Sequence, residues 1–253
     1  MAHAAKALQT RLDMLCHSVR MFAVAVSVLL AARTVEPVRA DEPADEVRTQ
    51  VEELGGQVVY GDATVGYAIV EVIFRGAGER VTPESLGSVA KLLATQPHLK
   101  RLTVASKLIH DEDLRIFTAL PQLEDLQLDC HITGAGVAHL AGLQKLTSLG
   151  FFCSPELTDT ALIQMKAMRQ LKRIRLLATP RVTDTGLKLL RELPALEELT
   201  LQYTGVTAEG LDALNGFPAL RRLTLTGSFG TPFRGERIQT LRTALPGCEI
   251  ITK

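Results

Sequence analysis

The chain has 253 residues, enough for a substantial core, and 46% of them are hydrophobic, yet only 4% are aromatic and Trp is absent. A core so poor in rings must be built from aliphatic side chains, which points to a repeat rather than a mixed globular core. With 28 basic and 28 acidic residues the formal charge is zero, so the basic surplus of a nucleic-acid footprint is missing and nucleic acid is set aside as a partner.

Residues 21–32, Met-Phe-Ala-Val-Ala-Val-Ser-Val-Leu-Leu-Ala-Ala, form an apolar run of 12 between Arg20 and Arg33. The run is short for a membrane span, which takes about 20 residues. It has the length of a signal-peptide core. Val38-Arg39-Ala40 then precedes the acidic Asp41-Glu42-Pro43, which places cleavage after Ala40. Residues 1–40 are therefore expected to be a signal peptide, residues 41–50 a linker, and the protein exported to a periplasm, a cell envelope or the medium. The alternative is an uncleaved, signal-anchored membrane form. Cleavage removes five basic and two acidic residues, which leaves a net charge of −3.

Next comes an N-terminal cap over 51–68: a helix from about 47, the turn Leu54-Gly55-Gly56, the strand Gln57-Val58-Val59-Tyr60 and a hairpin toward Tyr67. From residue 69 to 228 the chain repeats itself. Seven units carry the spacing L-x-x-L-x-L: Ile69-Val72-Phe74, Leu99-Leu102-Val104, Leu123-Leu126-Leu128, Leu146-Leu149-Phe151, Leu171-Ile174-Leu176, Leu196-Leu199-Leu201 and Leu220-Leu223-Leu225. Their starts lie 30, 24, 23, 25, 25 and 24 residues apart. Each triplet reads as a strand.

A second landmark follows each strand, as in Val182-Thr183-Asp184-Thr185-Gly186-Leu187 and Leu157-Thr158-Asp159-Thr160-Ala161-Leu162. Related copies start at Val81, Ile132 and Val206, and a degraded one is Ile109-His110-Asp111-Glu112-Asp113-Leu114. Thr is a good N-cap, Pro83 suits the first helical position, and Asp111, Asp159, Asp184 and Glu84 put negative charge on the positive end of a helix. From the last landmark residue to the next triplet the distance is nine residues in five consecutive units, which fits a short helix and a turn. One such unit cannot bury its Leu face alone. Stacked units can, with parallel strands about 4.8 Å apart.

These units resemble the leucine-rich-repeat superfamily, and within it the helical-convex subtype of F-box-associated and exported bacterial repeat proteins. The resemblance covers roughly residues 50–253. It implies an α/β solenoid with a concave parallel sheet and convex helices, and a role in macromolecular binding. Where the superfamily often places Asn or Cys three residues after the last strand Leu, this chain has Ala77, Lys107, His131, Ser154, Thr179, Thr204 and Ser228. The four hydroxyls can still bond neighbouring backbone, whereas Lys107 and His131 are expected to face solvent. Residues 229–253 form a C-terminal cap, with a helix from about Glu236 to Leu245 and a strand Cys248-Glu249-Ile250-Ile251.

The residues between the strand leucines point away from the core. Lys100-Arg101, Glu124-Asp125, Lys172-Arg173, Glu197-Glu198 and Arg221-Arg222 alternate in sign, as ion pairs between coils would. Phe152, Leu177 and Tyr203, with Arg175 and Gln202 beside them, are expected to form an apolar strip on the concave face, the composition of a binding hot spot. Cys130 and Cys153 fall at matching places in successive units and are candidates for a disulfide. A Cys–His pair with His131 lacks a third group. The run His110-Asp111-Glu112-Asp113 reads as helix-start charge, and no HExxH, GxSxG or phosphate loop occurs. No catalytic residue, metal or cofactor is expected. The functional expectation is a non-catalytic exported scaffold that binds a protein, with a glycan as the other ligand class. The competing readings are a passive or membrane-anchored envelope component and an intracellular F-box-like adaptor.

Overall fold

The computed structural model describes residues 42–65, 68–75, 78–227, 233 and 235–252. The expected signal segment lies outside them. Helix α1, Glu42–Glu53, already occupies most of the stretch expected as a linker. The reason is a stripe the linker reading overlooked: Ala44, Val47, Val51 and Leu54 recur every three or four residues and pack on the core. Residues 42–50 therefore belong to the N-terminal cap.

Nine strands follow among the described residues: β1 Gln57–Tyr60, β2 Ile69–Phe74, β3 Arg101–Ser106, β4 Asp125–Cys130, β5 Ser148–Phe152, β6 Arg173–Leu177, β7 Glu198–Gln202, β8 Arg222–Thr226 and β9 Glu249–Thr252. They form one sheet in strict sequence order. β1 pairs antiparallel with β2, as a cap. Every later neighbour is parallel. Between strands lie α2 Pro83–Leu93, a 3-10 helix Asp111–Ala119, α3 Gly134–His139, α4 Asp159–Met165, α5 Asp184–Leu190, a 3-10 helix Gly210–Leu214 and α6 Glu236–Ala244. Strands stacked one coil after another, with helices returning along the outer side, make a leucine-rich-repeat solenoid.

The register shows why the repeat folds. Val72, Leu102, Leu126, Leu149, Ile174, Leu199, Leu223 and Ile250 align across the sheet, and Phe74, Val104, Leu128, Phe151, Leu176, Leu201 and Leu225 form a second column two residues on. Both columns are buried against the helices in one continuous core. Phe233, α6 and Ile250 close that core at its C-terminal end. A helix, Glu236–Ala244, and a strand, Glu249–Thr252, stand near the C-terminus, the strand starting one residue later than the sequence suggests.

The helix landmarks do more than cap. Thr133, Thr158 and Thr183 each accept from a backbone N–H two residues on, as N-caps should. The aspartates reach forward to the next coil. Asp111 takes both the Thr133 N–H at 2.7 Å and its hydroxyl at 2.6 Å. Asp159 does the same for Thr183, at 2.8 and 2.6 Å, and Asp184 for Thr207, at 2.8 and 2.7 Å. The glycine of the receiving landmark makes room: a Cβ on Gly136, Gly186 or Gly210 would overlap the aspartate of the preceding coil. Where the aspartate is missing, at Gly134, the next coil carries Ala161 in place of glycine. There the coils approach so closely that a Cβ on Gly134 would meet the Ala161 nitrogen at 2.8 Å.

The expected hydroxyl ladder at the strand ends is partly present. Ser154 Oγ donates to the Cys130 carbonyl at 3.1 Å. In unit two Ser106, one residue before Lys107, takes the position and donates to the Val81 carbonyl at 2.6 Å. Thr204 accepts from the Val206 N–H within its own coil. Thr179 Oγ1 is buried without a hydrogen-bond partner. Lys107 and His131 are exposed, as expected, and Ala77 and Ser228 lie outside the described residues.

Candidate functional site: the open face of the sheet

The face of the sheet turned away from the helices carries three outward columns. The first runs Glu71, Arg101, Asp125, Ser148, Arg173, Glu198, Arg222 and Glu249. Ion pairs tie it along the solenoid: Arg101 to Glu71 at 2.9 Å and Arg222 to Glu249 at 2.9 Å. Just before the strands, Lys100 meets Glu124 at 3.1 Å and Lys172 meets Glu197 at 3.6 Å. These charges thus serve the scaffold, whereas Arg173 Nε is buried without a hydrogen-bond partner. Most are exposed, screened by salt and individually weak.

The middle column holds Thr103, Gln127, Gly150, Arg175, Thr200 and Thr224. Gly150 leaves a notch, and the Gln127 side chain lies across it, where a Cβ would overlap the Gln127 amide. Gln127 donates to Asp125 while its Oε1 is buried with no hydrogen-bond partner. Arg175 Nη1 donates to Ser148 Oγ at 3.2 Å and sits 3.6 Å from Asp125 Oδ2. Arg175 is therefore held by the floor of the sheet, though a third of its side chain stays exposed.

The third column carries the expected strip, and the register changes it. Phe152, Leu177 and Gln202 are direct neighbours, with Thr226 beyond. Tyr203 is one residue out of phase. It stands at φ 52°, in line with Cys153 at φ 47° and Ala178 at φ 53°, the three residues whose left-handed turns end their strands. The expectation that Tyr203 aligns with Phe152 and Leu177 is thus corrected: Gln202 takes that place. Phe152 is also less open than expected. Its ring leans toward Gly150, and the Arg75 guanidinium carbon sits 5.9 Å from its centroid. Burial pulls the Arg75 pKa below its ordinary value, while Glu71 and Asp129 pull it back up. Phe152, Leu177 and Gln202 are each half-buried. Arg75, Phe152 and Arg175 stand over a floor whose polar groups, Thr103, Gln127, Asp129 and Ser148, are all more than nine-tenths buried. Arg75, Gln127 and Gly150 escaped the sequence reading because it took the outward positions of only some units: Gln127 and Gly150 lie between the last two triplet residues, as Arg175 does, and Arg75 follows its triplet as Phe152 does. Following the alternation of two through every unit would have found them.

No disulfide joins Cys130 to Cys153; both are buried thiols. The two residues end neighbouring parallel strands, but Cys130 Sγ turns back toward the preceding coil, 3.8 Å from the Val104 carbonyl. Cys130 thus fills the rung that Ser106 and Ser154 fill in the flanking units. Burial pushes its pKa up to about 12. A thiol so held is neither a nucleophile nor a partner for His131. No group of three or more His, Cys, Asp or Glu suited to a metal occurs among the described residues.

No family model matches the chain, and no curated protein matches it. Among solved structures, it is similar to a chain of the TLR13–ssRNA13 complex, with a TM-score of 0.48 and 18% identity, over 73% of this chain and 29% of that one. It is also similar to an internalin (inlF) from Listeria monocytogenes, with a TM-score of 0.37 and 17% identity, over 64% of this chain and 56% of the other. The chain therefore spans well under two thirds of either structure. The assignment of the fold rests on the sheet order, the register and the repeat.

Proposed function

We propose that this protein is an exported, non-catalytic binding scaffold of the helical-convex repeat subtype, and that it captures a protein partner on the open face of its sheet. The observation that carries the reading is the half-exposed column Phe152–Leu177–Gln202, rimmed by Arg75 and Arg175, on a face whose other outward positions are mostly polar or charged. The ion pairs account for Lys100, Arg101, Asp125, Lys172 and Arg222 within the scaffold. They do not account for an aromatic and a leucine at outward positions of adjacent strands. Apolar groups flanked by arginine are what interface hot spots are made of. The balanced charge favours protein over nucleic acid. The aspartate–threonine–glycine rungs support the subtype. Export rests on residues 21–32 and the Val38-Arg39-Ala40 site.

Exchange of Phe152 and Leu177 for Ala tests the binding face. Both side chains are half-buried at the surface, so the double variant is expected to keep its circular dichroism spectrum. Affinity capture from cell-envelope extract should then lose the proteins that the parent chain retains. Capture of the same set by both would sink the assignment. Mass spectrometry of the expressed protein tests the address: a mature chain beginning at Asp41 is the expected result, and an intact residue 1–40 segment overturns cleavage.

A further inference from the structure

Two histidines well separated in sequence meet across units two and three. The rings of His110 and His131 have centroids 6.3 Å apart, with planes inclined at 52°. Both side chains are exposed. His131 follows Cys130 at the end of β4, and the inward turn of that thiol leaves the next residue facing out. His110 holds the position just before the 3-10 helix, where its backbone N–H donates to Asp113 Oδ2 at 2.8 Å. A carboxylate is therefore fixed beside it. Asp111 and Glu112 add negative charge to the same turn, although Asp111 is engaged by Thr133 and Glu112 by Arg115 at 2.8 Å.

We propose that His110 and His131 form a two-imidazole site for a late divalent transition-metal cation, with zinc as the reference ion. Neutral imidazole nitrogen is a preferred ligand of this class, and the acidic turn favours a cation. With zinc–nitrogen bonds of about 2.0–2.1 Å, two imidazoles sharing one ion place their ring centres roughly 5–6.5 Å apart, depending on the angle at the metal. The observed separation falls in that span. Both side chains are exposed, so packing leaves them room to rotate toward a tetrahedral angle. Because no three candidate ligands converge among the described residues, water fills the other coordination positions. The site is open and its metal exchangeable, unlike a closed structural centre. The interval between the two histidines matches no metal motif; only the stacking of coils brings them together.

Titration of the untagged full chain with zinc at about pH 7.5 tests the site. The expected result is a saturable event whose affinity falls at least about tenfold in H110N and, separately, in H131N. An ion shared between coils also raises the melting midpoint of the parent chain, and neither variant should show that shift. H98N, which alters an exposed histidine elsewhere, should behave as the parent does. The site is overturned if both variants keep the parental isotherm and midpoint shift. It is equally overturned if only one of them loses affinity, or if the parent takes up no zinc at millimolar concentration.

Discussion

At the residue scale the sharpest case is Cys130. Sequence spacing places Cys130 and Cys153 at matching positions of successive coils, but such a position does not decide where a side chain points. Cys130 turns toward Val104, and burial raises its pKa to about 12. Two consequences follow. In the native protein a thiol reagent at neutral pH should leave Cys130 unmodified over a period in which the partly exposed Cys248 reacts, and denaturant should expose it at once. Rapid native labelling of Cys130, located by peptide mapping, would count against the burial described here. The second consequence concerns pH. The folded pKa lies above the unfolded value of about 8.5–9, so the unfolded chain releases this proton first. The stability contributed by the buried neutral thiol is complete below about pH 8.5 and is lost as pH climbs to about 12. Cys130→Ser makes the same ladder contact possible without that titration. Its denaturation midpoint should therefore fall less steeply between pH 9 and 11 than that of the parent. Tyr203 teaches the companion lesson. Counting one residue past each triplet gives Phe152, Leu177 and Gln202, as the register has them, whereas Tyr203 falls two past, level with Cys153 and Ala178; placing it on the strip missed that step.

At the scale of the element, the landmark Thr-Asp-x-Gly is a joint between coils as well as a helix start. Sequence reading recognised the capping threonines and the favourable charge on the helix end. It could not see that the aspartate bonds forward, because that partner lies some 22–24 residues on in the chain. Yet the sequence carries the signature: aspartate in one landmark goes with glycine in the next, and Gly134 goes with Ala161. Substitution of Asp159 by Ala removes two hydrogen bonds to a carboxylate, each of a kind worth about 1.5–3 kcal/mol, and leaves the Thr183 N–H to find water. Gly186→Ala presses a methyl group against the same carboxylate and should cost about 1–3 kcal/mol by overpacking. The two changes act on one joint, so they should not add. With Asp159 already gone, Gly186→Ala should cost less than it does alone, the remainder coming from Leu162 Cδ1, which the added methyl would meet at 2.7 Å. Urea denaturation of the parent, both single variants and the double variant measures the coupling. Strict additivity would mean that glycine and aspartate are not in contact.

At the scale of the whole molecule, the sheet runs β1 to β9 in sequence order and its backbone pairing joins only neighbouring strands, while on the open face Arg175 reaches Asp125 two coils back and Arg75 lies over Phe152 three coils on. The order of the coils was legible from seven leucine triplets, because period and stacking are the same fact in a solenoid. The start of the N-terminal cap was not, since its stripe of Ala44, Val47, Val51 and Leu54 lies under polar and acidic residues that dominate the composition of α1. Nearest-neighbour stacking makes stability a sum along an axis, and the ends are its weak points. The C-terminal end is held by Phe233, Ile238, Leu241, Leu245 and Ile250 over the last full coil. Replacing Ile250 with Asp puts a charge into that seam and should release β9 and α6. β8 then becomes an open edge with unpaired N–H and carbonyl groups. Hydrogen exchange followed by mass spectrometry should show protection lost in β9 and weakened in β8, while β3 to β5 keep theirs. Leu149→Ala, in the middle of the stack, offers the contrast. It opens a cavity costing about 2–5 kcal/mol with no edge from which to unzip, so its exchange should quicken in the coils on both sides of β5. If Ile250→Asp instead lowered protection evenly from β2 to β9, the solenoid would be behaving as one cooperative globule, and the additive picture drawn from its contacts would have to be abandoned.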